Sequence, residues 1–297
     1  MNERIKYYQK VDKKLKLIDL TFDKMFKSVF ASNKNVLKKF LLTELNLDMK
    51  PEETTIDISN NELLKELNTE YQKTVDIIVY LNNEIITNIE SNKSAFNDIK
   101  DRNYFYFAKL HTLVLKEGDN PKKPTIKELY QLNINSNEND NKFGEDEYQI
   151  KSTITNKPLI ENFKILAKNV AYYRNLYYNK HEMLTNAGMW LVALSSKSFA
   201  ELYKIIRKLL PEDEAGQFME SVIIMSGKEE ILTEFERQRL DAIKEIKTIE
   251  NAKNKGKQEG LEIGKKETAR RMLAKNIDIK TISEITDLTE EQIKDLK

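Results

Sequence analysis

Two carboxylates interrupt a pair of adjoining apolar segments in the stretch KTVDIIVYLNNEIITNIESN, residues 73–92. Asp76 stands near the start of the first segment and Glu90 near the end of the second. The β-branched residues and short length of both segments predict two strands joined by a polar turn. Carboxylate oxygens are the ligands that Mg²⁺ and Mn²⁺ prefer in proteins. The pair therefore indicates a divalent-cation site, provided that both side chains leave the same face of the hairpin.

The length of the turn decides this, because directly opposed residues of an antiparallel pair point to the same face. A two-residue loop sets Asp76 opposite Ile89 and separates the carboxylates. A three-residue loop, 82–84, sets Asp76 opposite Glu90, and a five-residue loop or a bulge keeps that parity. The three-residue register also keeps four apolar side chains on one face, and a one-residue slip would scatter them: Val75, Val79, Ile85 and Ile89. Burial therefore favours the register that brings the carboxylates together, with Glu84 in the left-handed position of the loop.

Two facing carboxylates repel each other and destabilise a sheet, and a cation between them removes that penalty. A divalent cation held there would bind a water and polarise a phosphodiester. Asn92 lies two residues beyond Glu90 and would project into the same site. The hairpin thus suggests hydrolytic chemistry on a phosphate ester.

The composition of the chain narrows the chemistry further. Its 297 residues include 49 Lys and Arg against 48 Asp and Glu, which does not indicate a globally basic nucleic-acid binder but permits a local basic face. The absence of cysteine excludes disulfides, thiolate zinc sites and a cysteine nucleophile. The two histidines, His111 and His181, are far apart, so a metal would be a hard cation held by oxygen.

The N-terminal segment MNERIKYYQKVDKKLK is charged and lacks the apolar run of a signal peptide. No segment approaches the length of a membrane span. We therefore expect a soluble, cytoplasmic protein with no membrane contact. The abundance of Lys, Asn and Ile suggests an AT-rich bacterial genome.

The order of the predicted elements is that of a mixed α/β core with a helical C-terminal cap and tail. Two amphipathic helices come first, and strands and a single helix follow them. We expect all of the secondary structure after Pro158 to be helical. The predicted elements before that point lie in residues 20–30, 36–45, 54–59, 75–92, 96–116, 125–136 and 147–156. We expect one domain over residues 1–235 and a helical arm over residues 236–297.

The arm has a distinctive composition. Its stretch NKGKQEGLEIGKKETARRMLAKN carries three glycines at intervals of four, and each costs a helix about 1 kcal/mol relative to alanine. This predicts a marginal helix or a flexible linker. The last segment, IDIKTISEITDLTEEQIKDLK, predicts two short helices. Asp278 would cap the first, and Thr289 with Gln292 forms a capping-box pattern for the second.

An Asp on one strand followed by Glu-x-Asn on the next, in VDIIVYLNNEIITNIESN, resembles the pattern of the PD-(D/E)XK nuclease superfamily. More narrowly, the chain resembles the bacterial recombination-promoting nuclease/putative transposase family, also described as PD-(D/E)XK nuclease family transposases. DLTFDKMF resembles that family's opening Asp-x-x-Phe-Lys-x-x-Phe helix, and Arg102 with Tyr106 its Arg-x-x-x-Tyr-type helix. The tail resembles the family's Gly-Lys-Glu repeat and terminal short helices.

The resemblance implies a restriction-endonuclease-like core, in which a small mixed sheet is flanked by helices. It implies Asp76 and Glu90 as metal ligands and the Ser91 carbonyl as a third, with Mg²⁺ or Mn²⁺ as cofactor and DNA as partner. Asn92 occupies the place of the family's lysine; an amide can hydrogen-bond a water but supplies no positive charge. Two basic residues of the following helix are candidate DNA contacts that would reach back toward the site: Lys100 and Arg102.

The function that we expect is a metal-dependent DNA endonuclease, in which Asp76 and Glu90 hold the metal and Asn92 orients the attacking water. Two alternatives stay open. One is a catalytically degenerate relative that binds DNA without cutting it. The other is a helical interaction protein that forms homo-oligomers through the C-terminal arm, in which the hairpin is merely structural.

Overall fold

A computed structural model of the chain describes residues 3–59, 77–92, 99–114, 120, 124–136 and 143–296. It contains a six-stranded mixed sheet flanked by helices, which confirms the predicted mixed α/β, restriction-endonuclease-like core. From one edge to the other the strands are β1 (Ile56–Ser59), β2 (Ile77–Leu81), β3 (Ile85–Asn92), β4 (Glu128–Asn135), β6 (Phe163–Asn169) and β5 (Glu145–Tyr148). β3, β4 and β6 are parallel to one another, and the remaining neighbours pair antiparallel.

The described α-helices have a simple order along the chain. Among the described residues, three precede β1, one lies between β3 and β4, and the others follow β6. They are α1 (Glu3–Asp12), α2 (Asp23–Ser32), α3 (Lys34–Glu44), α4 (Ile99–Leu110), α5 (Val170–Tyr178), α6 (Asn186–Leu194), α7 (Phe199–Leu209), α8 (Glu212–Ser226), α9 (Glu229–Leu273), α10 (Ile279–Thr286) and α11 (Glu290–Lys294). Within the described ranges, no helix is both long and apolar enough to cross a membrane.

The hairpin of β2 and β3 has the register of the three-residue loop. Leu81 lies opposite Ile85, and Ile77 lies opposite Ile89, so the predicted register is confirmed over these residues. Asp76, whose position opposite Glu90 the same register predicts, lies outside the described residues.

The three-residue turn of this hairpin, 82–84, begins with two consecutive asparagines. Asn82 and Asn83 both adopt the left-handed conformation, with φ of 50° and 56°. Asparagine tolerates this conformation better than most residues, because its short polar side chain can hydrogen-bond locally. The Asn82 side chain also accepts a bond from the backbone N–H of Thr55, a residue distant in sequence, at 2.7 Å. Glu84 keeps a negative φ, so its predicted left-handed conformation is wrong.

β6 corrects the prediction that everything after Pro158 is helical. The strand pairs in parallel with β4 on one side and antiparallel with β5 on the other. Apolar residues occur on both of its faces, as is usual for an inner strand, so its alternation is weak. The candidate strand in 147–156 is likewise wrong beyond Tyr148, where β5 ends.

The two faces of the sheet are covered differently. The larger apolar core packs the first helices and α5 to α8 against one face, which receives Val79, Ile89 and Leu132. The other face, which we call the α4 face, receives Ile78, Ile86 and Leu129 and a smaller apolar cluster from α4. Because strand residues alternate in direction, the even-numbered residues of β3 and the odd-numbered residues of β4 belong to the α4 face.

One acid is buried on the face opposite α4. Glu44, the last residue of α3, is 2% exposed, and within the described part of the chain neither of its carboxylate oxygens has a hydrogen-bond partner. Lys168 of β6 lies 3.8 Å from it and 2.5 Å from Glu145. Burial raises the pKa of Glu44 to about 8, although the nearby Lys168 opposes the shift.

The chain divides into two compact units, Met1–Phe235 and Glu236–Lys297. The glycine-containing stretch is helical and belongs to α9. The short helices α10 and α11 confirm the predicted pair, with Asp278 capping the first and the Thr289–Gln292 capping box starting the second. A small apolar core unites them with the end of α9: Ala269, Ile282, Leu288 and Ile293.

Candidate functional site

The carboxyl end of β3 places three of the predicted site residues side by side. Glu90 is 4% exposed and Asn92 is 1% exposed, and both belong to the α4 face. Ser91 belongs to the opposite face, where its hydroxyl donates to the Thr21 carbonyl at 2.6 Å. The N-terminal segment before α2 is thereby bound to the strand at the point where the candidate ligands lie.

The remaining predicted site residues are placed only partly. Asp76 lies outside the described residues, so its convergence with Glu90 stays a prediction. Lys100 and Arg102 belong to α4, which packs on the sheet face that carries Glu90 and Asn92. Their side chains lie outside what the structure describes.

Glu90 belongs to a buried row of polar side chains that crosses from β3 to β4. Asn88 Nδ2 donates to Glu90 Oε1 at 3.1 Å and to Gln131 Oε1 at 2.9 Å. Gln131 Nε2 in turn donates to Asn133 Oδ1 at 3.0 Å. Each of these four residues is at most 4% exposed, so hydrogen bonds among them replace the hydration that burial removes.

A second pair continues the row toward the end of the strands. Asn92 Nδ2 donates to Asn135 Oδ1 at 3.1 Å, and these two residues are register partners. The Ser136 backbone N–H donates to the Asn92 carbonyl at 2.9 Å. The first bond orients the Asn92 side-chain amide against β4, and the second holds the Asn92 backbone.

A polar cleft of about 680 Å³ opens at the carboxyl ends of these strands. Thr21 and Ser136, which hydrogen-bond to Ser91 and Asn92, belong to its lining, so the cleft begins where β3 ends. None of the described residues that line it is acidic. The lining consists of Thr21, Ser136, Asn169, Val170, Ala171, Tyr172, Arg174, Asn175, Tyr178, Asn179, Ser195 and Lys197.

Two cations line this cleft, and both have a carboxylate neighbour. Arg174 Nη1 donates to Glu201 Oε1 and to the Ser195 carbonyl, each at 2.9 Å. Lys197 Nζ lies 3.8 Å from Asp19. The first turn of α5 also faces the cleft, and backbone N–H groups at a helix N-terminus favour an anion.

The donor set at the end of β3 fits a hard divalent cation. It offers the Glu90 carboxylate, backbone carbonyls and amide oxygens, with no sulfur and no histidine among the described neighbours. Over the described ranges, no three His, Asp or Glu side chains cluster as a metal site. A complete carboxylate pair would need Asp76.

Sequence reasoning missed Gln131 and Asn133 as neighbours of the site, although a signal for them exists. The segment NIESN contains polar residues at positions 88, 90 and 92, and QLNIN contains them at 131, 133 and 135. Two strands with polar residues at the same period-two spacing, among apolar ones, predict a shared polar row if they pair in that register. The cleft cations gave no comparable signal, because Arg174 and Lys197 come from a helix and a loop outside the sheet.

Comparison with known proteins supports a nuclease relationship. A family model described as PD-(D/E)XK nuclease family transposase matches residues 17–252, most of the chain, which confirms the resemblance drawn from the sequence motifs. The part of that resemblance that lies in the tail beyond residue 252 stays a prediction. No curated protein and no solved structure matches the chain.

Proposed function

The chain belongs to the PD-(D/E)XK nuclease family transposases, and on that premise we propose that it is a metal-dependent endonuclease that hydrolyses phosphodiester bonds in DNA. The observation that carries the proposal is the placement of Glu90. This carboxylate is buried at the end of a central strand and accepts a hydrogen bond from Asn88. The next residue, Ser91, donates to Thr21, which lines a polar cleft without acidic lining residues in the part of the chain described.

We propose that Asp76, Glu90 and the Ser91 carbonyl hold Mg²⁺ or Mn²⁺. When bound, such a cation supplies Lewis-acid polarisation of the phosphodiester and lowers the pKa of water. Glu90 contributes negative charge in a site from which bulk water is largely excluded, so its attraction for a cation is strong. The hydroxyl of Ser91 is turned to Thr21, which leaves the Ser91 backbone as the source of its oxygen ligand.

Asn92 would orient the attacking water. Its amide plane is fixed by the bond to Asn135, and a fixed amide holds a water in one direction. An amide carries no charge, so the cation that stabilises the developing negative charge would come from elsewhere. Lys100 and Arg102 are our candidates, because their helix packs on the same face of the sheet.

We propose that the cleft receives the DNA strand. Its amides and its two cations suit phosphate oxygens, and its tyrosines suit the faces of bases or sugars. Arg174 keeps further N–H groups in addition to the Nη1 bonds described, because guanidinium has five. In the reaction the water oxygen bonds to phosphorus, one P–O ester bond breaks, and the departing oxygen gains the proton that water loses.

A plasmid-nicking assay with purified full-length protein tests the proposal. With Mg²⁺ or Mn²⁺ we expect nicking that EDTA abolishes and that Asp76→Ala and Glu90→Ala each lower by at least about 100-fold, a loss of roughly 3 kcal/mol in transition-state stabilisation. Glu84→Ala is the matched control, because Glu84 is an exposed acid of the same hairpin, paired with Lys127. Equal nicking by wild type and Asp76→Ala would refute the proposed nuclease assignment.

The amide at position 92 favours one second candidate, a degenerate relative that binds DNA without cutting it. This candidate predicts DNA binding that survives chelation and no cleavage with either metal. The interaction-protein alternative, with homo-oligomers formed through the arm, predicts a change in oligomeric state when residues beyond about 251, within α9, are removed.

A further inference from the structure

The polar row on the α4 face is confined to one end of β3 and β4. At the first even step of β3, Ile86 lies beside Leu129, and both are fully buried. At the next step Asn88 lies beside Gln131, and neither exposes any surface. The buried side chains of the α4 face therefore change from apolar to polar between one pair of register partners and the next, in the direction of Glu90.

The hydrogen bonds give this row a defined direction. An ionised carboxylate can only accept, so the Asn88 amide must turn its NH₂ group to Glu90. The same NH₂ group donates to Gln131 Oε1, which requires the Gln131 amide to point its own NH₂ group to Asn133. Each amide orientation is thus determined by the one before it, beginning at Glu90.

The free energy of folding alone would not favour this buried row of polar side chains. Replacing both partners of a buried hydrogen bond by apolar groups of similar shape is often neutral or stabilising, and the Ile86–Leu129 pair shows that apolar side chains fit this interior. Asn88 Oδ1 is also buried without a hydrogen-bond partner among the described residues, which costs free energy. The bond that Asn88 donates to Glu90 is what a leucine at this position could not provide.

We propose that Asn88 and Gln131 are positioning residues for the Glu90 carboxylate, a role that rests on the proposed metal-dependent function. Asn88 holds one carboxylate oxygen and favours its negative charge, and Gln131 fixes the orientation of Asn88. The bond from Asn88 restricts the rotation of the Glu90 side chain. A ligand whose rotamer is fixed before binding loses less entropy when the cation arrives, so the pair raises cation affinity.

The test compares wild type with the double variant Asn88→Leu/Gln131→Leu in the full-length chain. We expect Mn²⁺ affinity, measured by titration calorimetry, to fall by 10- to 100-fold, the range found for outer-shell partners of metal ligands. Nicking at saturating Mn²⁺ falls in kcat with little change in KM for DNA, because the cleft is intact. The melting temperature in EDTA should fall only slightly, because the new apolar pair offsets part of the cost of depriving Glu90 Oε1 and Asn133 Oδ1 of these donors.

Thr87→Val is the matched control. Thr87 is the residue next to Asn88 on β3, is fully buried, and has a hydroxyl with no hydrogen-bond partner in the described structure, but it belongs to the opposite face. This isosteric change from polar to apolar should leave Mn²⁺ affinity and nicking at wild-type levels.

The outcomes separate the two proposals. Wild-type Mn²⁺ affinity and kcat in the double variant would overturn the positioning role and leave the nuclease assignment standing. A large fall in melting temperature in EDTA would show that the row is a stability element and would also overturn it. A wild-type protein that neither binds Mn²⁺ nor nicks DNA would overturn the nuclease assignment and, with it, the role inferred for this pair.

Discussion

Buried polar groups differ in their hydrogen bonding between the two faces of the sheet. On the α4 face, Asn88, Gln131 and Asn133 are joined to one another and to Glu90 by hydrogen bonds. On the other face, the Thr87 hydroxyl and the Glu44 carboxylate are buried without hydrogen-bond partners among the described residues. The first arrangement is a connected network of hydrogen bonds, and the second consists of groups outside any such network, although Lys168 lies 3.8 Å from Glu44.

The difference shows that burial of a polar residue is by itself a weak sign of function. Isolated buried groups lower stability and do nothing for their neighbours. A connected row that ends at a carboxylate can fix the geometry of that carboxylate. The comparison therefore predicts that substitutions on the two faces will separate stability from metal binding.

The largest effect on stability is expected from the apolar face. Leu132→Ala removes a fully buried side chain of the larger core and should lower the free energy of unfolding by about 2–5 kcal/mol, since the cavity cannot fully collapse. Urea denaturation of wild type and variant measures this change. Mn²⁺ affinity of the folded protein should be unchanged, and a loss of affinity as large as that of the double variant would contradict the separation of the faces.

The next largest effect on stability is expected from a second carboxylate placed in the hydrogen-bonded row. Asn88→Asp removes the donor to Glu90 and sets a second carboxylate beside it, so we expect a destabilisation of about 2–4 kcal/mol at pH 8. Repulsion raises the folded-state pKa of the carboxylate pair above its unfolded value, so the penalty should shrink as the pH falls toward 5. Thermal melts at the two pH values check this, and a pH-independent penalty would argue against direct contact with Glu90.

A smaller effect is expected at Glu44, whose pKa is raised to about 8 from an unfolded value of 4.5, chiefly by burial. Between these values the folded state binds more protons than the unfolded state, so the stability of the wild type falls as pH rises from 4.5 to 8. Glu44→Gln removes this dependence and should exceed wild type by roughly 1–3 kcal/mol at pH 9 but not at pH 5. If the stability of wild type and variant changed with pH in the same way between pH 5 and pH 9, the raised pKa of Glu44 would be refuted.

The smallest effect belongs to Thr87→Val. Removing a buried hydroxyl without a partner should change stability by less than about 1 kcal/mol, in the stabilising direction. Chemical denaturation measures the change. A destabilisation of 2 kcal/mol or more would mean that this hydroxyl has a partner, and the contrast between the faces would weaken.

Much of the fold was predictable where its signals are local. The first helices, the hairpin and the terminal short helices each carry their own periodicity, turn or cap within a few residues. β6 was not predictable in this way, because its pattern is equally compatible with a helix, and only pairing with β4 and β5 makes it a strand. The left-handed turn was assigned to Glu84, whereas the asparagines before it adopt that conformation at lower cost.

The sequence by itself determined the register of the β2–β3 hairpin, because the apolar set that selects it lies within one short segment. It also determined that Glu90 and Asn92 share a face. Only the tertiary structure decided that Gln131 would hold Asn88, 43 residues away, and that α5 and neighbouring loops would form a cleft with Thr21 and Ser136. Parallel pairing joins strands through a long crossover, and no local pattern encodes which residues it will set side by side.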